Sequence, residues 1–197
     1  MQTLKETVTA IYSVLKDTER HMCENFGAGV CTLADEIFFV TTQELEDMYP
    51  NLSAKEREYA ITKEKGAVFL MQIGGKLKSG NKHDGRAPDY DDWTLNGDII
   101  IYYPVLDIAL EISSMGIRVD EDALARQLEE SGCEDRRQLP FQKALLEKRL
   151  PYTIGGGIGQ SRICMFFLKK MHIGEVQSSV WDDETMRLCA ENGVPLL

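Results

Sequence analysis

The chain has 197 residues, enough for one domain with a sizeable core, and its 43% hydrophobic and 27% charged residues are ordinary for a globular protein. A net charge of −10 at pH 7 and a pI near 4.8 oppose a broad nucleic-acid-binding surface, because such surfaces depend on clustered Lys and Arg. No apolar run is long enough to span a bilayer, and the N-terminus lacks the apolar core of a signal peptide. We therefore expect one cytosolic domain over residues 1–197, with neither a membrane nor a nucleic acid as partner.

The cysteines are consistent with that location. The five of them are scattered and contain no CxxC pair, which is typical of reduced thiols and argues against a structural zinc site. Cys164 lies in an apolar helical stretch, so we expect its side chain in the core.

The N-terminal segment predicts a long amphipathic helix followed by a short strand. Apolar residues recur at helical spacing from Leu4 to Phe26, and Gly27 is expected to end the helix. The apolar run over 36–40 then predicts a strand.

Two short helices and a buried strand come next. Thr41 and Thr42 are suited to cap the first helix. Ser53 and Glu56 have the spacing of a capping box and open the second. The continuous apolar run over 67–73 predicts a strand that is buried on both faces.

A long polar loop over 76–93 is the first candidate site. It carries Arg86 and three aspartates around Tyr90 and Trp93, among them Asp91. One interpretation is a solvated excursion. The other is a loop that binds a charged small molecule, since binding groups gather on loops held by a rigid scaffold.

The middle of the chain predicts an antiparallel hairpin with strands over 99–105 and 109–119. Asp98 and Glu111 interrupt these otherwise apolar strands, and a buried carboxylate is costly unless it is paired or bound to a cation. The two carboxylates either share a magnesium ion, or each of them meets an arginine or lies at a solvated strand end. Arg118 closes the second strand as a candidate anion ligand.

The segment after the hairpin is predicted to be mainly helical. Asp120 is suited to cap a helix that runs to Ser131, and a second short helix begins at Pro140. Residues 172–177 predict a return strand, and the tail predicts a last short helix.

The most unusual stretch is the glycine-rich segment within residues 151–170. It predicts a strand, a turn of three consecutive glycines and a helix that opens near Gly159 and carries Arg162 in its first turn. Glycines permit positive φ and close approach of a ligand, and an arginine at a helix start suits phosphate or carboxylate. A plain strand-to-helix turn is the alternative.

Known nucleotide motifs do not account for this stretch. The chain has no GxxxxGK[ST] loop, no dinucleotide-binding βαβ fingerprint and nothing like a catalytic triad. What remains is electrostatic chemistry with arginines, a carboxylate pair and glycine backbone, which favours phosphate handling with magnesium.

Several long motifs together resemble one known family. The segments GAVFLMQIGGKL, DGRAPDYDDW, LNGDI, EISSMGIRVD, GGGIGQSR and HIGEVQ are similar, in this order, to the ammonia-dependent asparagine synthetase A, or aspartate–ammonia ligase, family. The resemblance implies an α+β fold of the class II aminoacyl-tRNA synthetase-like kind, an antiparallel sheet flanked by helices with the ATP site on the sheet. It implies ATP, L-aspartate and ammonia as substrates, Mg²⁺ as cofactor, and a β-aspartyl-adenylate as intermediate.

The resemblance also assigns roles to residues. Arg162 corresponds to the ATP-phosphate arginine of the third class II motif. Asp98 and Glu111 match the acidic positions that hold magnesium and ATP, and Ile112 beside them is assigned to ATP. Together these are the predicted nucleotide and metal ligands.

The predicted aspartate ligands are more varied. Arg118 is suited to bind the substrate α-carboxylate with two hydrogen bonds. Asp91 is suited to bind the substrate ammonium or the incoming ammonia and is the second predicted catalytic residue, and Arg86 supports either Asp91 or a phosphate. The rest of the aminoacyl pocket is expected from Ser113, Ser114 and the backbone of Gly155, Gly156 and Gly157.

Family members carry a further N-terminal part, with the first two class II motifs and much of the interface of a homodimer, and no counterpart of it is recognisable here. We therefore expect a C-terminal portion with about half of the active site and an exposed sheet edge. Two alternatives follow: a nucleotide-binding module without turnover, and part of an aspartyl- or asparaginyl-tRNA synthetase. The absence of an anticodon-binding module and the negative charge disfavour the latter.

Overall fold

A five-stranded sheet forms the centre of the molecule in the computed structural model, which describes residues 1–26 and 32–197. The spatial order follows the chain order, with the first two strands parallel and every later neighbour antiparallel. The predicted α+β class and the sheet flanked by helices are confirmed, and the sheet is antiparallel at every pair of strands except the first. The strands are β1 (Phe38–Thr41), β2 (Ala67–Met71), β3 (Asp91–Tyr103), β4 (Ile108–Arg118) and β5 (Ile154–Ile158).

Helices lie between and around the strands, and two short 3₁₀ segments, Glu134–Gln138 and Ile173–Glu175, join some of them. Of the helices in the described residues, none combines the length and apolarity that a bilayer span needs. The helices are α1 (Gln2–Phe26), α2 (Thr42–Met48), α3 (Ala54–Lys65), α4 (Glu121–Glu130), α5 (Pro140–Leu146), α6 (Gln160–Phe167) and α7 (Asp183–Glu191).

The long helix α1 buries its predicted apolar stripe. Leu4 and Val8 are fully buried, and the Tyr12 hydroxyl donates a 2.7 Å hydrogen bond to the Ala34 carbonyl. These side chains pack on one sheet face with Phe69. Gly27, predicted to end the helix, lies outside the described residues.

Local capping chemistry sets the starts of the next two helices, as predicted. Thr41 and Glu44 form a capping box at α2, and Ser53 and Glu56 form one at α3. Because each box satisfies two helix-end donors, it contributes about 1 kcal/mol and makes the boundary readable from sequence.

Strand β2 is buried along its whole length, as the unbroken apolar run predicted. Phe69 faces the cluster that contains α1, whereas Val68 and Leu70 face the cluster formed with α2 and α3 through Leu45 and Ile61. The sheet therefore has two covered faces at β2, and further along β3 and β4 the face of α2 and α3 carries polar side chains.

Three predictions about the C-terminal region are wrong. The three glycines lie inside β5 and not in a turn, and none of them has positive φ. Residues 172–177 contain the 3₁₀ segment Ile173–Glu175 in place of a strand, because the His172 side chain and Glu175 form a capping box across it. Cys164 is exposed on α6 rather than in the core.

Candidate active site

The candidate site lies on the sheet face that α2 and α3 partly cover. Side chains alternate between faces along a strand, and Ile100 belongs to this face because it packs with Leu70. Asp98, two residues before Ile100, shares the face. Register adds the cross-strand partners, since Asp98 lies opposite Ser114 and Ile100 lies opposite Glu111.

Strand β5 completes this surface. Its register places Gly157 opposite Ser114 and Gly155 opposite Gly116. Residues three apart on a regular strand point to opposite faces. A register shift between Ile99 and Ile100 in the β3–β4 pairing places Glu111 and Ser114 on the same face nevertheless. The sheet thus gathers predicted residues that are up to about sixty positions apart in the chain.

Asp98 is the most deeply buried carboxylate of the surface. It is 5% exposed and accepts a hydrogen bond from Arg86, which reaches it from the loop before β3. Burial raises the pKa of Asp98 to about 6; the Arg86 charge opposes that rise and the Glu111 charge adds to it. Arg86 therefore contacts Asp98 rather than Asp91, the carboxylate for which the sequence suggested support.

Glu111 meets the second arginine. Arg162, in the first turn of α6, donates a 2.8 Å hydrogen bond to the Glu111 carbonyl and lies 3.4 Å from its carboxylate. Both side chains are nearly half exposed. Each carboxylate of the predicted pair thus meets an arginine, which was one of the two interpretations that the sequence left open.

Asp91 and Arg118 form a third pair at the start of β3 and the end of β4. Arg118 donates to Asp91, its guanidinium stacks on the Tyr90 ring at 3.9 Å from the centroid, and its Nη2 donates to the Tyr90 hydroxyl at 2.9 Å. Burial raises the pKa of Asp91, against the opposing charge and hydrogen bond of Arg118. The two predicted aspartate ligands are therefore direct neighbours.

The glycines of β5 differ in what they permit. A Cβ on Gly155 would meet the Arg118 guanidinium at 2.5 Å, whereas a Cβ on Gly157 would meet nothing within 4 Å. The close approach of a ligand to these glycines stays a prediction; at Gly155 the group that lies close to the backbone is the Arg118 side chain.

The side chains of two predicted ligands, Ile112 and Ser113, are buried. The Ile112 side chain is 2% exposed within the core, and its carbonyl accepts a 2.8 Å hydrogen bond from the Gly159 amide. Any contact between Ile112 and a nucleotide would have to come from its main chain. Ser113 is buried on the core side of β4 with its hydroxyl unpaired among the described residues, while Ser114 lies beside Asp98.

The carboxylates of Asp98 and Glu111 are suited to a magnesium ion that is bound together with a nucleotide. Within residues 1–26 and 32–197, no group of three or more His, Cys, Asp or Glu is arranged to hold a metal ion. Asp98 Oδ1 is buried and unpaired in that part of the chain. Magnesium commonly takes one or two carboxylates and fills its remaining positions with phosphate oxygens and waters. Asp98 and Glu111 therefore fit such an ion.

The raised pKa of Asp98 predicts a pH-dependent stability. Its native pKa, about 6, exceeds its ordinary value of 3.8, so its contribution to stability is fully present below about pH 4 and is lost as the pH rises through about 6. The loss is on the order of 3 kcal/mol. We expect Asp98→Asn, which cannot titrate, to lack this part of the pH dependence in urea unfolding measured at about pH 4 and about pH 7.

Two features make that measurement specific. The raised pKa of Asp91 acts in the same direction, but it is present in both proteins and cancels in the comparison. The exposed Asp17→Asn substitution removes a surface charge and serves as the control. Equal pH slopes for the natural chain and Asp98→Asn would contradict the prediction.

Sequence reasoning missed several residues that position the site. The Gln127 side chain is fully buried and bonds the Pro88 carbonyl at 2.9 Å, the Asp91 carbonyl at 3.0 Å and the Trp93 amide at 2.8 Å. Gln127 lies three residues after Leu124, on the apolar face of α4, and this helical spacing could have indicated that its side chain is buried. Tyr90 was seen only as a neighbour of aspartates.

The fold places the chain in a structural class. It superposes on an asparaginyl-tRNA synthetase from Entamoeba histolytica, solved with asparaginyl-adenylate, with a TM-score of 0.56 and 14% identity over 88% of this chain and 43% of that one. An aspartyl-tRNA synthetase from the same organism gives 0.55 and 16% identity over 85% and 39%. The fold is thus that of class II aminoacyl-tRNA synthetases.

Sequence similarity defines the family. A model of the aspartate–ammonia ligase family matches residues 1–193. Aspartate–ammonia ligases from Ruminiclostridium cellulolyticum and Clostridium perfringens strain SM101 are 63% and 61% identical over the whole of this chain. The chain belongs to the aspartate–ammonia ligase family, as the motifs indicated, and spans 58% and 59% of the length of these two relatives.

Proposed function

We propose that the chain provides the ATP- and aspartate-binding face of an aspartate–ammonia ligase, which makes L-asparagine, AMP and pyrophosphate from L-aspartate, ammonia and ATP. The observation that supports it most is the row of paired charges on one sheet face, with Arg86 against Asp98 and Arg162 against Glu111. Membership of the ligase family connects this row to a reaction.

In the activating step, the β-carboxylate of aspartate attacks the α-phosphorus of ATP. An oxygen–phosphorus bond forms, the bond to pyrophosphate breaks, and negative charge develops on the phosphate oxygens. Arg162 is suited to offset this charge because its side chain is 47% exposed and its guanidinium is held in place by the Glu111 carbonyl. Asp98 and Glu111 would hold a Mg²⁺ ion, whose charge would supply further neutralisation of the phosphates.

In the amidating step, ammonia attacks the β-carbonyl carbon of the adenylate and AMP leaves. Asp91 is suited to take the proton that the attacking ammonia loses, because its raised pKa makes it a better base than an ordinary aspartate. Arg118, stacked on Tyr90 and approached by Gly155, is placed to bind the α-carboxylate of the substrate.

The remaining assignments follow the resemblance. We propose a homodimer that works in the cytosol on aspartate, ammonia and ATP, with Arg86, Ser114 and the Gly155–Gly157 backbone lining the aspartate pocket. Ile112 is proposed to contact ATP through its main chain. The solved synthetases resemble the chain at 14% and 16% identity, so this likeness describes the fold alone and assigns the chain no substrate.

The proposal is tested by following asparagine and pyrophosphate after mixing chain, ATP, Mg²⁺, aspartate and ammonium. One arm uses the chain alone. A second arm adds the portion of the R. cellulolyticum ligase that the chain does not span, expressed as a separate polypeptide. We expect asparagine in at least one arm, in amounts equal to the pyrophosphate released.

Two results would count against the ligase. One is the absence of asparagine in both arms while circular dichroism shows a folded chain. The other is aspartate-dependent charging of transfer RNA, which would favour the alternative that the chain is part of a tRNA synthetase. Activity confined to the second arm would support the proposal and locate the missing contacts in the added portion.

A further inference from the structure

We propose that the buried hydrogen bond between His83 and Glu58 is a positioning contact that holds Arg86 against Asp98. Neither His83 nor Glu58 belongs to the charged row described above. The catalytic consequence rests on the proposed ligase function, whereas the positioning itself does not.

Burial first distinguishes His83 from its surroundings. It lies in the polar loop between β2 and β3, where every other residue from 75 to 87 is exposed or only partly buried. His83 is 6% exposed. A buried polar side chain in a hydrophilic loop acts as an anchor when its partner lies on a rigid element.

That partner is Glu58 on α3. His83 Nε2 lies 2.9 Å from Glu58 Oε1, and both residues are buried. Burial raises the pKa of Glu58, but the hydrogen bonds from His83 and Lys55 outweigh it and leave the pKa below its ordinary value. Glu58 is thus an ionised acceptor, and His83 Nε2 is the donor.

The contact acts on Arg86 through a very short connection. Only Asp84 and Gly85 separate His83 from Arg86, and both bond the guanidinium: Nη1 donates to Asp84 Oδ2 at 3.2 Å and to the Gly85 carbonyl at 3.0 Å. A displacement of His83 therefore moves the segment that aims Arg86 at Asp98.

Other anchors hold other parts of the loop. Upstream, Ser79 donates to Glu46 of α2 at 2.7 Å, and downstream the Pro88 carbonyl accepts from Gln127 at 2.9 Å. Arg86 lies between the His83 and Pro88 anchors. His83 Nδ1 is buried without a hydrogen-bond partner among the described residues. The hydrogen bond between Nε2 and Glu58 is therefore the imidazole's side-chain anchor in that part of the chain.

The test compares two substitutions of the same histidine. His83→Leu keeps apolar volume but removes the donor, whereas His83→Gln keeps an N–H that is able to reach Glu58. Trypsin cleavage after Arg86 reports on the loop, because its flanking residues Gly85 and Ala87 are unchanged. We expect cleavage of His83→Leu to be roughly 10-fold faster than that of the natural chain, and His83→Gln to restore most of the protection.

A control separates positioning from a general loss of stability. Tyr103→Phe removes a buried hydroxyl that lies 2.6 Å from the Lys170 carbonyl and 3.0 Å from the Met165 carbonyl, in the core cluster that contains α1 rather than α3. It is expected to lower the urea midpoint while cleavage after Arg86 stays unchanged. Equal acceleration by Tyr103→Phe, or none by His83→Leu, would overturn the proposal.

A kinetic arm connects the contact to the reaction. In the ligase assay, His83→Leu should lower kcat/KM for aspartate in the same way as Arg86→Ala, and the double variant should be no worse than Arg86→Ala alone. Additive losses would mean that His83 does not act through Arg86. If the natural chain makes no asparagine in either arm of the ligase assay, the ligase proposal fails while the trypsin result still decides the positioning contact.

Discussion

Arg162→Ala is expected to lower aspartate-dependent pyrophosphate release by about 100- to 1,000-fold, the loss typical for removing one preorganised group that stabilises transition-state charge. Arg162 sits in the first turn of α6 and is oriented by the Glu111 carbonyl at 2.8 Å. In the proposed mechanism, its removal takes a permanent cation from the phosphate oxygens on which charge develops. The measurement is steady-state pyrophosphate release in whichever arm of the ligase assay is active.

Two further variants sharpen this prediction. Arg162→Lys keeps the positive charge but loses the planar guanidinium, so its activity should lie between those of Arg162→Ala and the natural chain. Arg187→Ala removes an arginine of α7 that pairs with Glu191 on the surface, and it should leave the rate unchanged. An Arg162→Ala protein with nearly full activity would remove Arg162 from the mechanism.

Gly155→Ala and Gly157→Ala are expected to differ sharply although they change the same strand by the same methyl group. The new methyl at position 155 would lie 2.5 Å from the Arg118 guanidinium, whereas the one at position 157 has free space. Displacing Arg118 breaks its contacts with Asp91 and Tyr90. We expect the KM for aspartate to rise about 10- to 100-fold in Gly155→Ala, since hydrogen bonds to charged groups are strong.

The paired design controls for changes in the strand itself. Gly155→Ala should unfold at a lower urea concentration than Gly157→Ala, because it separates Arg118 from the buried Asp91 carboxylate, so both KM values are measured where circular dichroism shows folded protein. The KM for aspartate in Gly157→Ala should stay near that of the natural chain. Equal KM values for the two variants would show that Arg118 does not bind the aspartate carboxylate.

Local signals were sufficient for much of the fold. Capping residues such as Ser53 and Asp120 mark helix starts because they satisfy backbone donors within a few positions. The apolar run of β2 and the β3–β4 hairpin were predicted for similar local reasons. The glycine segment was placed wrongly, because only pairing with β4 makes three glycines part of a strand.

The sequence by itself determined the family and the α+β class and proposed residues for the candidate site, because long motifs and local propensities are written in neighbouring positions. The tertiary structure decided which of those residues meet. Asp98 pairs with Arg86 and Glu111 with Arg162, and His83 is buried against Glu58. Such partners depend on strand register and loop anchoring across 12 to 51 positions, and no local pattern encodes them.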